Sequence, residues 1–393
     1  MTFSPAHETM DEPDRSFRLV PFGTYTRTLI LAQLGHIGTV VTALLIIALT
    51  LDIAPSVERI LEQAGPLGTT GLVVYMLRYV LLRACDNLGT LLPLACFMGV
   101  CWSEIMLTQS RERIAIWNGG RTPLQSLMPL AVLGIVLGGM QVTALMVLRP
   151  TAVAAQIEEG IGSYGRRFDR SLKAERRWIT LPGHMVQARI DYRNARLVDV
   201  QIFELSDEGR MTGRIEAASA EPDGTPGHWL LRQGSRWIAP AEGTLPPAGG
   251  PAVVRFAEER IVLPLDPLWV RYLGIEPRYL TQDVLSELAR RSLIDDPSYR
   301  TWWHVRLAQA ILPFGMMLMA SALAVRLIAQ RTAFKPTLLV GLAGYFLHVS
   351  NNFVVWLGHY GQLNPALAAW IMPLAMTAAG LALMLRLQRE GSA

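Results

Sequence analysis

The sequence predicts an α-helical membrane protein with six spans, three before and three after an inserted strand-rich domain. Three observations predict it. The 393-residue chain is 51% hydrophobic and 17% charged, where a soluble domain carries about 25% charged residues. Its charges are segregated, and the stretches between them reach about 20 apolar residues, enough helix to cross a hydrocarbon core of about 30 Å. The polar remainder gathers in one block, from about Pro150 to Arg300. There short runs alternate apolar and polar residues, as half-buried strands do.

Residues 1–20 are polar and Pro-containing and read as a disordered tail. The first span runs from Thr28 to Leu51, too long for a signal-peptide core. Asp52 and Pro55 end it, and residues 52–70 read as a polar connector. Leu72 to Leu82 carries Arg78 and reads as an amphipathic lead-in lying at the interface. The second span follows from about Asn87 to Leu107, with Pro93 as a kink. After a basic loop, the third span covers Leu124 to Leu148, with Gly134 and Gly138 at a spacing that lets helices approach closely. Residues 151–280 are assigned to the strand-rich domain and 281–300 to a short connecting helix with Thr281 as N-cap. The remaining spans are placed at Trp302–Ile328, Thr337–Leu357 and Pro365–Leu385.

Short-loop cations set the orientation. Arg15, Arg18 and Arg27 flank the first span; Arg111, Arg113 and Arg121 lie in the 108–123 loop; Arg326, Arg331 and Lys335 lie in the turn after the fourth span; Arg386 and Arg389 follow the sixth. With six spans these segments share one side. Both termini are therefore expected in the cytoplasm and the strand-rich domain outside it. The net charge of +4 gives no case for nucleic acid. Cys85, Cys96 and Cys101 match no metal motif and read as buried thiols. No Walker-type phosphate loop occurs, so uphill work would need a separate ATPase. No acid–base, nucleophile or metal constellation marks an enzyme.

Three candidate sites remain. In the 110–121 loop, Ser110 reads as the cap of a short helix, Glu112 lies in its first turn, Ile114 and Trp117 share a face, and Gly119 and Gly120 stop it. Such a helix suits either docking of a soluble motor or an ordinary basic loop. Arg78, Arg83 and Arg149 fall near the outer interface, where they could grip anionic head groups or only anchor the helices. Within the apolar segments, His36, His348, Asn351 and Asn352 are costly unless they face a cavity or a partner, while Glu104 and Arg326 sit where they could snorkel. In the strand-rich block, Met185, Val186, Ile190, Ile202, Phe203, Trp229 and Trp237 read as core, with a slot for acyl chains as the functional alternative. His184 and His228 stand alone.

Three local patterns then carry a family resemblance. Ser110-Arg111-Glu112-Arg113-Ile114-Ala115-Ile116-Trp117-Asn118-Gly119-Gly120-Arg121-Thr122 places Gly120 eight residues after Glu112. Tyr299 to Pro313 holds His304 and Arg306 at the start of the fourth span. Gly361-Gln362-Leu363-Asn364-Pro365-Ala366-Leu367-Ala368-Ala369-Trp370-Ile371-Met372-Pro373 opens the sixth. In this order, over about 20–390, the chain resembles the lipopolysaccharide-export permeases LptF/LptG. The Pro277-Arg278-Tyr279-Leu280-Thr281 stretch and the first span look more like LptG, although the first span lacks that half's lysines.

The resemblance implies a periplasmic β-jellyroll as the inserted domain and a bacterial inner-membrane location. It implies a permease subunit, itself no enzyme, that extracts lipopolysaccharide and passes it to a periplasmic jellyroll bridge. The implied partners are a cytoplasmic LptB-like ATPase dimer, an LptF-like second permease half and LptC/LptA-like jellyroll proteins. No cofactor is implied for this chain; ATP and Mg²⁺ would be used by the ATPase. Arg111, Glu112, Arg113, Trp117 and Gly120 would serve ATPase coupling, and Arg78, Arg83, Arg149 and His36 the substrate cavity. Spans one and five would form lateral gates. The alternatives are a transporter half for another outer-membrane lipid, or a membrane-anchored periplasmic scaffold.

Overall fold

The computed structural model describes residues 23–64, 68–119, 125, 127–168, 175–239, 253–291, 296–327 and 334–391. The tail 1–20, Gly120, Arg121 and Arg331 lie outside them, and nothing of the Trp117 side chain is described. Among the described residues, five helices are long and apolar enough to cross a membrane, or six if one bent helix pair counts as a single span.

The first span is α1 (Thr24–Ile53), followed by one 3-10 turn at Ala54–Ser56 and the short helix α2 (Val57–Ala64). The expected polar connector is thus largely helical. The second span corrects the sequence reading more strongly. Helix α3 is continuous from Gly68 to Gln109, so Leu72–Leu82 is not a separate interfacial segment. Its two central charges, Arg83 and Asp86, are neutralised within the fold and need not end the helix.

Pro93 lies inside α3. Proline has no N–H, so the Gly89 carbonyl loses its helical donor. The side-chain amide of Gln141 fills that place, Nε2 donating to Gly89 O at 2.7 Å and to Gln309 Oε1 at 3.1 Å. A backbone vacancy in the second span therefore becomes a polar joint to the third and fourth, the way membrane helices accommodate proline.

The third span is α5 (Leu127–Thr143), running through a π turn at Ala144–Leu148 into α6 (Arg149–Glu158). The fourth is bent by 56° between α10 (Pro297–Ala308) and α11 (Leu312–Leu327). Pro313 opens α11, where its missing N–H costs nothing. The bend is seated on the small residues of α5. A Cβ on Gly138 would strike the Ala310 carbonyl oxygen, and one on Gly134 would lie 2.8 Å from the Phe314 ring. Helices α12 (Phe334–His359) and α13 (Pro365–Gly391) complete the bundle. Ile37, Leu92, Phe97, Leu133, Met316 and Met376 are buried at its centre.

Between the two sets of spans lie α7 (Gly162–Arg167) and six strands: β1 (Arg177–Leu181), β2 (His184–Asp191), β3 (Arg196–Leu205), β4 (Met211–Pro222), β5 (His228–Ile238) and β6 (Val253–Val262). They form one antiparallel sheet in sequence order, and residues 151–158 of the polar block belong to the third span's helix. Val186, Ala188 and Ile190 of β2 are buried, while Met185, Gln187 and Arg189 between them are not. This period of two places Met185, Phe203 and Trp237 on the opposite, half-buried face, so they are not core. The inner face is covered by the returning segment that includes helix α8 (Pro267–Arg271), with Leu263, Leu265 and Val270 buried against Ile202, Ile215 and Trp229. The Trp229 indole donates to the Leu265 carbonyl at 3.2 Å. A 3-10 turn at Pro277–Tyr279 and helix α9 (Gln282–Arg291) return the chain to the bundle.

Candidate functional site

Polar residues gather at both ends of the bundle. At the end away from the sheet, α3 stops and α4 (Glu112–Asn118) begins. Arg111 makes the break, with φ of 60°, a left-handed position that an L side chain rarely adopts. The Ser110 hydroxyl donates back to Leu107 O at 3.4 Å, so it serves the end of α3 and not the start of α4. Arg111, Glu112 and Ile114 are exposed. Arg113 is buried and ion-paired with Glu104 of α3, whose Oε1 accepts from the Ser321 hydroxyl of α11 at 2.8 Å. Burial pulls the Arg113 guanidinium down to about 10, so it stays a cation at neutral pH.

At the sheet end, Arg83 and Asp86 lie one turn apart on α3. Arg83 Nε donates to Asp52 at the foot of α1 at 2.6 Å, and its Nη1 to Asp86 at 3.1 Å. Arg149, opening α6, donates to the Asp86 carboxylate at 3.0 Å and to its carbonyl at 2.8 Å. The Tyr164 hydroxyl of α7 donates to Asp86 at 2.8 Å and lies 2.9 Å from that of Tyr279. One buried carboxylate thus holds two guanidiniums and a phenol, an arrangement that repays desolvation only when nearly every lone pair is used. Burial first, and then Asp86, raises the Tyr164 pKa above the ordinary phenol value; burial does the same for Tyr279. Both remain donors. Spans one, two and three are joined here to the segment that carries the sheet.

Beside Arg149 lies a cavity of about 220 Å³, lined among others by Thr90, Gln309, His348, Asn351 and Asn352. The Asn352 amide lies 3.1 Å from His348 Nε2. The polar residues of the fifth span therefore do face a cavity. Arg78 stands apart, exposed and paired with Glu159, the residue that caps the end of α6. His36 is elsewhere, its ring 5.1 Å from that of Trp102 on α3. So the structure brings Arg83 and Arg149 together through Asp86 and leaves Arg78 and His36 outside their cluster.

Asp86, Asp52, Tyr164 and Tyr279 were not singled out as site residues from the sequence. Arg83 and Asp86 at i, i+3 in an apolar helix carry a local signal of pairing. Nothing local points to Arg149 or Tyr164, which are distant in the chain.

Compared with individually curated proteins, the chain matches none. The model of the family described as lipopolysaccharide export system permease LptF/LptG matches residues 27–386, nearly the whole chain. With its membrane spans, central antiparallel sheet and short helix between the second and third spans, the chain belongs to the LptF/LptG permease family.

Proposed function

We propose that this multi-pass inner-membrane permease of lipopolysaccharide export is one half of an ATP-driven transporter. The second half would be another permease of the same family, packed against α1 and α12. What carries the reading is how little of those spans the chain itself covers. Only 6% of the apolar window of α1 and 22% of that of α12 is buried, against 56% for α3. A pair of such halves would enclose a lipid path that neither encloses alone, with α1 and α12 as its gates. The sheet would stand in the periplasm and hand lipid to further β-jellyroll proteins. Both termini and α4 would face the cytoplasm, in line with the cations Arg27, Arg326, Lys335, Arg386 and Arg389 at that end and the positive-inside rule.

Helix α4 would dock on an ATPase dimer that binds ATP and Mg²⁺. Its exposed Glu112 and Ile114, with Arg111 just before it, offer two charges and an apolar contact to a partner. At the sheet end, Arg78, whose charge is half open to solvent, is the cation best placed to meet an anionic head group; Arg83 and Arg149 are held by Asp86 and would shape the path instead. The test is purification of the tagged chain from its native membranes. An ATPase and a second permease should accompany it, with lipopolysaccharide as the bound lipid by mass spectrometry. Glu112→Arg should cut ATPase recovery at least tenfold. Undiminished recovery removes the docking role, and absence of any ATPase from the unaltered complex removes the transporter reading.

A further inference from the structure

Helix α4 presents two different surfaces. Arg111, Glu112 and Ile114 point outward, but Arg113 turns back into the bundle. There it meets Glu104, itself buried, five residues before the end of α3, and Glu104 is held from the other side by Ser321 of α11. A cation needed only to anchor a loop keeps its head in water. This one is desolvated, and a buried pair is seldom more stable than apolar residues of the same size. What a buried pair does supply is one defined geometry. Charge and hydrogen bond fix the register of three elements at once, where an apolar contact could slide.

We propose that Arg113, Glu104 and Ser321 form an internal link that transmits movement of α4 to the second and fourth spans. Arg113 and Glu104 are then positioning residues for coupling, not part of the docking face. The inference rests on the proposed docking of α4 on an ATPase, and it separates two jobs within one short helix. Glu112 and its exposed neighbours meet the motor; Arg113 carries the motion inward. The two spans it reaches also carry Gly89 and Gln309, which the third span's Gln141 joins, and the bend at Ala308–Leu312.

The link predicts a change in stoichiometry. The complex, purified through this chain, is reconstituted in phosphatidylethanolamine–phosphatidylglycerol vesicles carrying lipopolysaccharide. Lipid reaching a photocrosslinkable residue in the sheet is measured against ATP hydrolysed. Glu104→Gln and Arg113→Met should keep the ATPase bound and lower lipid moved per ATP at least tenfold. Arg113→Lys, which keeps the charge, should retain most of the ratio, and the exchange of Glu104→Arg with Arg113→Glu should recover part of it. Loss of folded protein lowers both rates together and leaves their ratio unchanged. An unchanged ratio in Glu104→Gln and Arg113→Met therefore overturns the link, as does loss of the bound ATPase from those variants. Failure of the unaltered complex to contain an ATPase counts against the proposed function, not against the link.

Discussion

Single residues in this molecule act through what they neutralise. Asp86 is the clearest case, because two guanidiniums and a phenol converge on its carboxylate. Asp86→Ala leaves Arg83 and Arg149 buried without it, and breaking such a pair costs about 3–5 kcal/mol. Asp52→Ala should cost less, because Arg83 keeps Asp86. Thermal unfolding of the two variants in detergent checks the order. Asp191, the last residue of β2, works at the β2–β3 turn with its side chain largely buried. Its burial opposes ionisation, but hydrogen bonds from the Asn194 side chain, from Arg196 and from the Asn194 backbone outweigh that and hold its pKa below the usual carboxylate value. A carboxyl depressed on folding stabilises the folded state above its unfolded value of about 3.9. The contribution is lost as pH falls through the lower folded value. Asp191→Asn should therefore lower the stability of the sheet by about 1.5–3 kcal/mol at pH 7, and progressively less as pH falls below about 3.9, as followed by hydrogen exchange in β2 and β3.

Elements are shaped by where their backbones touch. Gly138 admits the Ala310 carbonyl at the bend between α10 and α11. Gly138→Val forces those helices apart, and overpacking of this kind costs about 1–3 kcal/mol. The Val variant should melt earlier than Gly139→Val, since a Cβ at Gly139 meets nothing within 4 Å. Part of this was legible in the sequence. The four-residue spacing of Gly134 and Gly138 predicted a close approach, and apolar length marked the membrane helices on either side of the sheet. The continuity of α3 was not legible, because Arg83, Asp86 and Asn87 look like a helix end until Asp52 and Arg149 are seen to receive them. The coupling loop was half legible. Its helix followed from Glu112 and the glycines, but the inward turn of Arg113 depends on Glu104, which the sequence placed only at a span end.

The whole molecule has the exposed surfaces of a half. If a second permease covers α1 and α12, photocrosslinkers at Ile46 and Phe346 should capture protein in native membranes. One at Ile135, which is 79% exposed on α5, should capture lipid alone. Equal capture at all three positions would remove the proposed interface. The six-span plan and the central sheet were legible at this scale because bilayer thickness and strand period are written locally; the closed ion cluster that joins them depends on residues far apart in the chain. Helix α3 joins both ends of the plan without interruption. Near Gly99 it touches the α1 backbone so closely that a Cβ there would lie 2.6 Å from the Ile37 Cα. If α3 tilted as one body, that contact would be its fulcrum, with unequal arms. At 1.5 Å per residue, Glu104 stands about 8 Å from it and Arg83 about 24 Å on the other side. Any tilt about the fulcrum swings the two ends in opposite senses, and a 1 Å push at the short arm returns about 3 Å at the long one.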